Sequence, residues 1–148
     1  LVRNGLEPRA HVDGNGVGAG VCSRMRELGA PVADMQAGSG ALDSEQYANA
    51  RAEWYWELRR RFERGEVDVD GDDEELEAQL TSIRWKQRSN GQILIESKQE
   101  MADRGMPSPD DADAMAMAFA MVGADDASLS FGVDPARLNR EFAGGGRR

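Results

Sequence analysis

The sequence predicts an α/β fold with one mixed sheet, and three features of the 148-residue chain indicate it. An apolar strand, a glycine-rich turn and a helix lead into a second strand over residues 10–35, a pattern typical of a β-α-β unit. An Asn-Gly pair separates two alternating segments over residues 83–97 and favours a hairpin with a tight type I′ turn. Helices lie between these strands. A hairpin beside a crossover unit makes the sheet mixed.

The first elements follow from local signals. A strand ends near Asp13, and a helix then runs to about Leu28, where Gly29 supplies the C-cap. A second short strand follows. The strongest helical pattern lies between Ser44, which we expect to be the N-cap, and Gly65, because its large apolar side chains recur at helical spacing.

The second half of the chain carries three further helical patterns. "DDEELEAQL" predicts an acidic helix, and "SKQEMADRG" predicts a short helix that ends at its glycine. The last helix is expected to begin with Ser108 as N-cap and Pro109 at the first helical position. Its alanine-rich run predicts burial nearly all round. We assign residues 1–123 to one domain and residues 124–148 to a partly disordered C-terminal tail.

The composition disfavours several classes of protein. The net charge of −9 at pH 7 argues mildly against a protein that grips nucleic acid through bulk charge. Cys22 is the single cysteine, so an internal disulfide is excluded and a reducing cytoplasm is expected. The longest uncharged apolar run, Ala114 to Gly123, is shorter than the roughly 20 residues that a bilayer requires. No signal peptide opens the chain. These features predict a cytoplasmic protein with no membrane partner.

Asp113 is the first candidate for chemistry because it lies within an otherwise apolar helix. A buried carboxylate without a partner is unfavourable by several kcal/mol, so Asp113 should be paired or bound to a metal ion. Asp110 lies three residues earlier on the same helical face. Asp110 and Asp111 also complement the positive end of the helix dipole, so a capping role stays open for both.

Asp13 is the second candidate because it ends a short strand, and ligands of open α/β sheets lie beyond the carboxyl ends of strands. The "GNGVGAG" that surrounds this turn lacks the spacing of a dinucleotide-binding loop. No GxxxxGK followed by Ser or Thr occurs in the chain. We interpret the glycines as a tight turn that lets backbone segments approach closely.

Three stretches of the chain, with the spacing between them, resemble one protein family. They are "HVDGNGVGAGVCSRMRELG", "YANARAEWYWELRRRFERGEV" and "GQILIESKQEMADRGMPSPDDADAMAMAFA", which together cover about residues 10–122. They resemble the C-terminal nuclease domain of the bacteriophage terminase large subunit, part of the motor that packages viral DNA. The last stretch is the most specific of the three.

The resemblance implies a ribonuclease H-like fold and a two-metal endonuclease that cuts concatemeric double-stranded DNA. Acidic residues of such a nuclease hold two Mg²⁺ or Mn²⁺ ions about 4 Å apart. Asp13 matches the acid at the end of the central strand, and Asp113 matches the acid on the final helix. Asp110 occupies a neighbouring position where some members carry an extra ligand, and Asp111 is expected to be a cap or an outer partner. Hard oxygen ligands suit these ions.

The resemblance also implies parts that the sequence lacks. The family's first metal-binding acid lies on a first strand that would precede residue 1, and the ATPase domain is absent, so we expect this chain to be N-terminally truncated and do not assume that it cuts DNA alone. Partners implied by the family are double-stranded DNA, the terminase ATPase domain, the portal protein and the small terminase subunit. The expected location is the host cytoplasm, at the procapsid.

Contact with DNA is expected to rely on basic residues directed at phosphates. The candidates, each of which could equally be a solubilising surface residue, are Arg51, Arg59, Arg60, Lys86 and Lys98. Two alternatives stay open. One is another nuclease of the same fold class, such as a Holliday-junction resolvase or a transposase core. The other is a non-catalytic α/β docking module whose acids only cap helices.

Overall fold

The computed structural model describes residues 10–121 of the chain. Its elements in chain order are β1 Ala10–Asp13, α1 Val17–Glu27, β2 Val32–Met35, α2 Ala50–Glu63, α3 Glu74–Ser82, β3 Trp85–Gln87, β4 Ile93–Ile95, α4 Lys98–Asp103 and α5 Asp110–Ala118. The described residues form two compact units, residues 10–34 and residues 35–121. The predicted tail, residues 124–148, lies outside the described residues.

The first unit is the predicted β-α-β arrangement. The Ala10 amide donates to the Pro31 carbonyl at a distance of 3.0 Å, and at the other end of the strands the Asp34 side chain lies against Gly14. The two strands therefore run in the same direction. Gly29 adopts a φ of 71° directly after α1, which is the left-handed C-cap conformation that glycine favours.

The second unit has its core between α2, β4, α4 and α5. Fully or nearly buried side chains from these elements make up this core: Trp54, Tyr55, Leu58, Ile93, Ile95, Met101, Ala112 and Ala116. α4 begins with a capping box, because the Ser97 hydroxyl accepts from the Glu100 amide while the Glu100 carboxylate accepts from the Ser97 amide. The short helix predicted here is confirmed.

α2 begins later than predicted. Its N-cap is Asn49, whose side chain accepts from the Ala52 amide, so the expected cap at Ser44 is wrong. The chain just before α2 pairs instead with β4: the Ala48 amide donates to the Ile93 carbonyl, and the Ile93 amide donates to the Gln46 carbonyl. Backbone groups in this parallel bridge cannot also form the first turn of a helix.

The hairpin is confirmed, but its turn is not the predicted type. β3 and β4 are antiparallel, with Trp85 opposite Ile95. Beyond the named strands the Arg88 amide donates to the Gln92 carbonyl and the Gly91 amide donates to the Arg88 carbonyl. Gly91 has a φ of 88°. This geometry is the longer loop with a left-handed glycine at its end, and not a two-residue type I′ turn.

α5 differs from the prediction at its start and in its burial. It begins at Asp110, and Pro109 is the N-cap instead of the first helical residue. The N-cap residue makes no side-chain capping hydrogen bond, so the expected cap at Ser108 is wrong. The buried Gln79 of α3 takes this role, because its side-chain carbonyl accepts from the amides of Asp111 and Ala112. α5 packs on α2 and α3 with one face only; Ala114 and Ala118 are exposed, which contradicts the expected burial nearly all round.

The mixed α/β class is confirmed, whereas the expected single sheet is not seen among residues 10–121. Within that range the strands pair as two two-stranded sheets, β1 with β2 and β3 with β4. One reason is that the segment just before α2 pairs with β4 through a bridge between Tyr47 and Ile93. This bridge occupies backbone hydrogen-bonding groups on one side of β4 that a further strand would otherwise use. No helix in residues 10–121 is long and apolar enough to cross a membrane.

Candidate metal centre

Asp113 is held in the second unit by three side chains. Its Oδ1 accepts a hydrogen bond from Arg51 Nε at 3.0 Å and one from the Tyr55 hydroxyl at 2.7 Å. Its Oδ2 lies 3.2 Å from the ammonium group of Lys98. Only 17% of the Asp113 side chain is exposed. The carboxylate predicted to need a partner is therefore paired with cationic side chains of the protein itself.

Lys98, the first residue of α4, joins Asp113 to Asp110. Its Nζ lies 2.8 Å from Asp110 Oδ1, and the Ser108 hydroxyl donates to that same oxygen at 2.7 Å. Although partial burial opposes it, hydrogen bonding to Asp110 and Asp113 raises the pKa of Lys98 above its ordinary value. The hydrogen bonds from Lys98 and Ser108 lower the pKa of Asp110. Two carboxylates on one helical face thus share the Lys98 ammonium, and Asp113 has the Arg51 guanidinium as a second cationic partner.

Arg51 is not placed for the DNA contact that was predicted for it. Only 12% of its side chain is exposed, and its Nη1 donates to the Glu96 carbonyl at 2.5 Å. Its guanidinium also lies 5.0 Å from the centre of the Tyr55 ring. Burial and the neighbouring Asp113 carboxylate raise the pKa of Tyr55, so its hydroxyl stays a hydrogen-bond donor at neutral pH.

The other predicted phosphate contacts lie at the surface with protein partners. Arg59 is paired with Glu63 at 2.8 Å and lies over the Trp56 ring, 4.8 Å from its centre. Lys86 is paired with Glu100 at 2.6 Å, and Arg60 lies 3.4 Å from the Gln46 side chain. Arg59 and Lys86 are exposed and Arg60 is partly buried, and the role of all three in DNA contact stays a prediction.

Asp13 lies at the end of β1 in the first unit. Its Oδ1 accepts from both the backbone amide and the side-chain amide of Asn15. The glycines that follow allow close packing here: a Cβ on Gly18 would lie 1.6 Å from the Asp13 carbonyl oxygen, and one on Gly14 would lie 1.5 Å from Asp34 Oδ1. This agrees with the interpretation of the motif as a turn that permits close backbone approach.

The predicted metal ligands are divided between the two units. Asp13 belongs to the first unit, and Asp110 and Asp113 belong to the second. Within residues 10–121, no group of three or more His, Cys, Asp or Glu side chains is arranged to hold a metal ion. Asp110 and Asp113 offer the oxygen ligands that Mg²⁺ and Mn²⁺ prefer, but the Lys98 ammonium lies between them. A divalent cation fits this pair only after that ammonium moves away.

Sequence reasoning missed the partners that hold Asp113. Arg51 and Tyr55 are four residues apart on α2, so they lie on one face of that helix, among the buried residues of its core face. A polar pair at this spacing within a buried face is the signal that could have identified them. Gln79 was missed for a different reason, because its bond to α5 joins residues 32 positions apart.

The chain is similar to solved nuclease domains, although no family model and no curated protein matches its sequence. A variant nuclease domain of the large terminase subunit gp2 of bacterial virus Sf6, with manganese, matches with a TM-score of 0.66 and 25% identity over 77% of this chain. The nuclease domain of the large terminase subunit gp2 of Sf6 itself matches with a TM-score of 0.64 and 25% identity, over 78% of this chain and 66% of that chain.

A further variant of the Sf6 domain, with calcium, matches at a TM-score of 0.63 and 25% identity, over 77% of this chain and 65% of that one. This chain therefore spans just under two thirds of these solved domains, 66% in the case of the manganese structure. The resemblance to the terminase nuclease domain is confirmed by structure, as is the ribonuclease H-like α/β fold.

Proposed function

We propose that this chain is a metal-dependent endonuclease domain of a viral DNA-packaging terminase. It would hydrolyse phosphodiester bonds of concatemeric double-stranded DNA. The observation that carries the proposal is the convergence of Asp110 and Asp113 on one cationic position, in a fold similar to that of terminase nuclease domains. The similar Sf6 nuclease domains, whose structures are with manganese and with calcium, support a divalent cation as cofactor.

Asp113, Asp110 and Asp13 are the residues that we propose as ligands of two Mg²⁺ or Mn²⁺ ions. When bound, such a pair of ions activates the attacking water and stabilises the leaving 3′ oxygen. Asp113 is the most constrained of the three carboxylates, because its Oδ1 is fixed by Arg51 and Tyr55. Asp110 is largely exposed and can turn toward a cation at little cost.

Lys98 has two proposed roles. In the absence of metal it forms ion pairs with Asp110 and Asp113, while Arg51 supplies a second positive charge next to Asp113. Its long side chain is about half exposed, so the ammonium can swing away and contact a DNA phosphate once a metal ion takes its place. This movement reconciles its expected DNA contact with its observed ion pairs.

A non-catalytic docking module is the second candidate, and one observation favours it. Asp113 already has a full set of protein partners, and residues 10–121 contain no group of three metal ligands. A carboxylate satisfied in this way could simply tie α5 to α2 and α4. A resolvase or transposase core is less well supported, because the similar solved structures described above are terminase nucleases.

Assembly within a packaging machine is part of the same proposal. The terminase ATPase domain, the portal protein and the small terminase subunit are the proposed partners, and the host cytoplasm at the procapsid is the proposed location. The similarity to a large-subunit nuclease domain supports this context.

Metal titration separates the two candidates. We would titrate Mn²⁺ into the wild type, Asp13→Asn and Asp113→Asn by calorimetry, with Asp103→Asn as the matched control. Asp103 is an exposed carboxylate on α4 that is bonded only to Gln99 among the contacts seen. A nuclease site predicts saturable binding that both test variants lose and the control keeps. Binding that survives Asp113→Asn, or no binding in the wild type, supports the docking module.

Cleavage is the second readout. Wild type that binds Mn²⁺ should nick or linearise a supercoiled plasmid in Mn²⁺, and Asp113→Asn should not. The Asp103→Asn control should cut like the wild type. Equal cleavage by wild type and Asp113→Asn would contradict the assignment of Asp113.

A further inference from the structure

We propose that Arg51 and Tyr55 are positioning residues that hold Asp113 by Oδ1, so that Asp113 offers only Oδ2 to a divalent cation. This inference rests on the proposed nuclease function. It also assigns Arg51 a role other than the DNA contact suggested by its charge. Neither residue is proposed to touch DNA or metal.

The contacts of Asp113 are divided between its two oxygens. Oδ1 accepts hydrogen bonds from Arg51 Nε and from the Tyr55 hydroxyl. Arg51 Nη2 lies 3.0 Å from the same oxygen, as a close charge contact without hydrogen-bond geometry. A carboxylate oxygen has about two lone-pair directions, so Oδ1 is fully used. Oδ2 contacts the half-exposed Lys98 ammonium, and it is the oxygen that would become free if Lys98 moved away.

Arg51 is itself rigidly held. Its Nη1 donates to the Glu96 carbonyl just after β4, and its guanidinium packs against the Tyr55 ring. Both residues lie on α2, one helical turn apart and facing α5. Asp113 is therefore fixed from a buried helix that also anchors the end of β4, which is how an outer partner orients a metal-binding carboxylate.

A carboxylate restricted to one oxygen favours some cations over others. Mg²⁺ and Mn²⁺ sites of octahedral geometry use single carboxylate oxygens, whereas Ca²⁺ readily accepts both oxygens of one carboxylate. Loss of the bonds to Oδ1 should therefore do two things. It should weaken Mn²⁺ binding by about 10- to 100-fold, as is usual when outer partners of metal ligands are removed. It should also shift the ratio of affinities toward Ca²⁺.

The experiment measures the affinities for Mn²⁺ alone and for Ca²⁺ alone by calorimetry. The test variants are Tyr55→Phe, which removes one donor, and Arg51→Lys, which keeps the charge but loses the planar fork. Tyr47→Phe is the matched control, because Tyr47 is similarly buried and is not one of the hydrogen-bond donors seen at Asp113. We expect both test variants to bind Mn²⁺ at least about 10-fold more weakly and to gain relative affinity for Ca²⁺. The control should match the wild type.

The outcomes separate this inference from the proposed function. If the wild type binds Mn²⁺ through Asp113 but Tyr55→Phe and Arg51→Lys keep both its affinity and its Mn²⁺ to Ca²⁺ ratio, the inference is overturned and the nuclease proposal stands. If Asp113→Asn leaves Mn²⁺ binding unchanged, both are overturned. Should Tyr55→Phe fail to fold, Arg51→Lys decides, because a purely structural role would lower the melting temperature without moving the ratio of affinities.

Discussion

From the ion pairs of Lys98 we predict that removing this side chain changes metal affinity and thermal stability in opposite directions. Lys98→Ala removes the ammonium that lies between Asp110 and Asp113. A divalent cation would then enter without displacing a positive charge. We expect tighter Mn²⁺ binding and, in the absence of metal, a lower melting temperature, because the two carboxylates lose their shared counterion.

The size of the effect follows from the exposure of the partners. Asp110 is 73% exposed, and a pair at that exposure contributes at most about 1 kcal/mol. Asp113 is 17% exposed, and a hydrogen bond to a charged group in such a setting contributes about 1.5 kcal/mol before the cost of holding a flexible lysine. We therefore estimate about 1–2 kcal/mol for moving Lys98 away. This corresponds to Mn²⁺ binding that is about 5- to 30-fold tighter in Lys98→Ala.

Calorimetric titration of Mn²⁺ against wild type, Lys98→Ala and Lys86→Ala tests this prediction. Lys86 is the matched control, because it is exposed to the same degree and forms an ion pair with Glu100 on α4. Lys86→Ala should bind Mn²⁺ as the wild type does. Binding by Lys98→Ala that equals or falls below that of the wild type would refute the view that the lysine competes with the metal.

Two further predictions concern stability. Gly18→Ala should lower the free energy of unfolding by about 1–3 kcal/mol in chemical denaturation, because the new Cβ would meet the Asp13 carbonyl oxygen at 1.6 Å. Gly20→Ala, on the same helix with nothing within 4 Å, should instead be neutral or stabilising. Hydrogen bonds from Arg104 lower the pKa of Glu96 below its ordinary value of 4.5, so stability present above that pH should be lost as the pH falls further. Melting temperatures from pH 6 to pH 2 should fall less steeply for Glu96→Gln than for wild type; parallel curves would contradict this cause.

Local sequence signals determined those elements whose ends are made by neighbouring residues. Gly29 ends α1 as predicted, and the short helix predicted over residues 97–105 is α4, which begins at the Ser97 and Glu100 capping box. The hairpin was also evident, because alternation and an Asn-Gly pair are local features. Its exact turn was not, since the choice between a two-residue and a longer loop depends on how the strands pair.

Tertiary contacts decided where α2 and α5 begin. Ser44 has the chemistry of an N-cap, but the backbone of residues 46–48 bonds to Ile93 of β4 and delays the helix to Asn49. Ser108 also has that chemistry, yet Gln79 of α3 caps α5. In both cases a distant partner satisfies the backbone better than the nearby side chain, and a local pattern cannot reveal it.

The candidate site divides in the same way. Its acids could be identified by sequence, because Asp110 and Asp113 share a helical face and Asp113 is an acid in an apolar run. The pairing of Asp113 with Arg51 was not predicted, because Arg51 lies 62 residues before Asp113 and is brought to it only when α2 packs on α5. The sequence by itself therefore determined which carboxylates are candidates for binding a cation. The tertiary structure alone decided which charges and hydrogen-bond donors surround them, because those interactions depend on distances between helices and not on spacing along the chain.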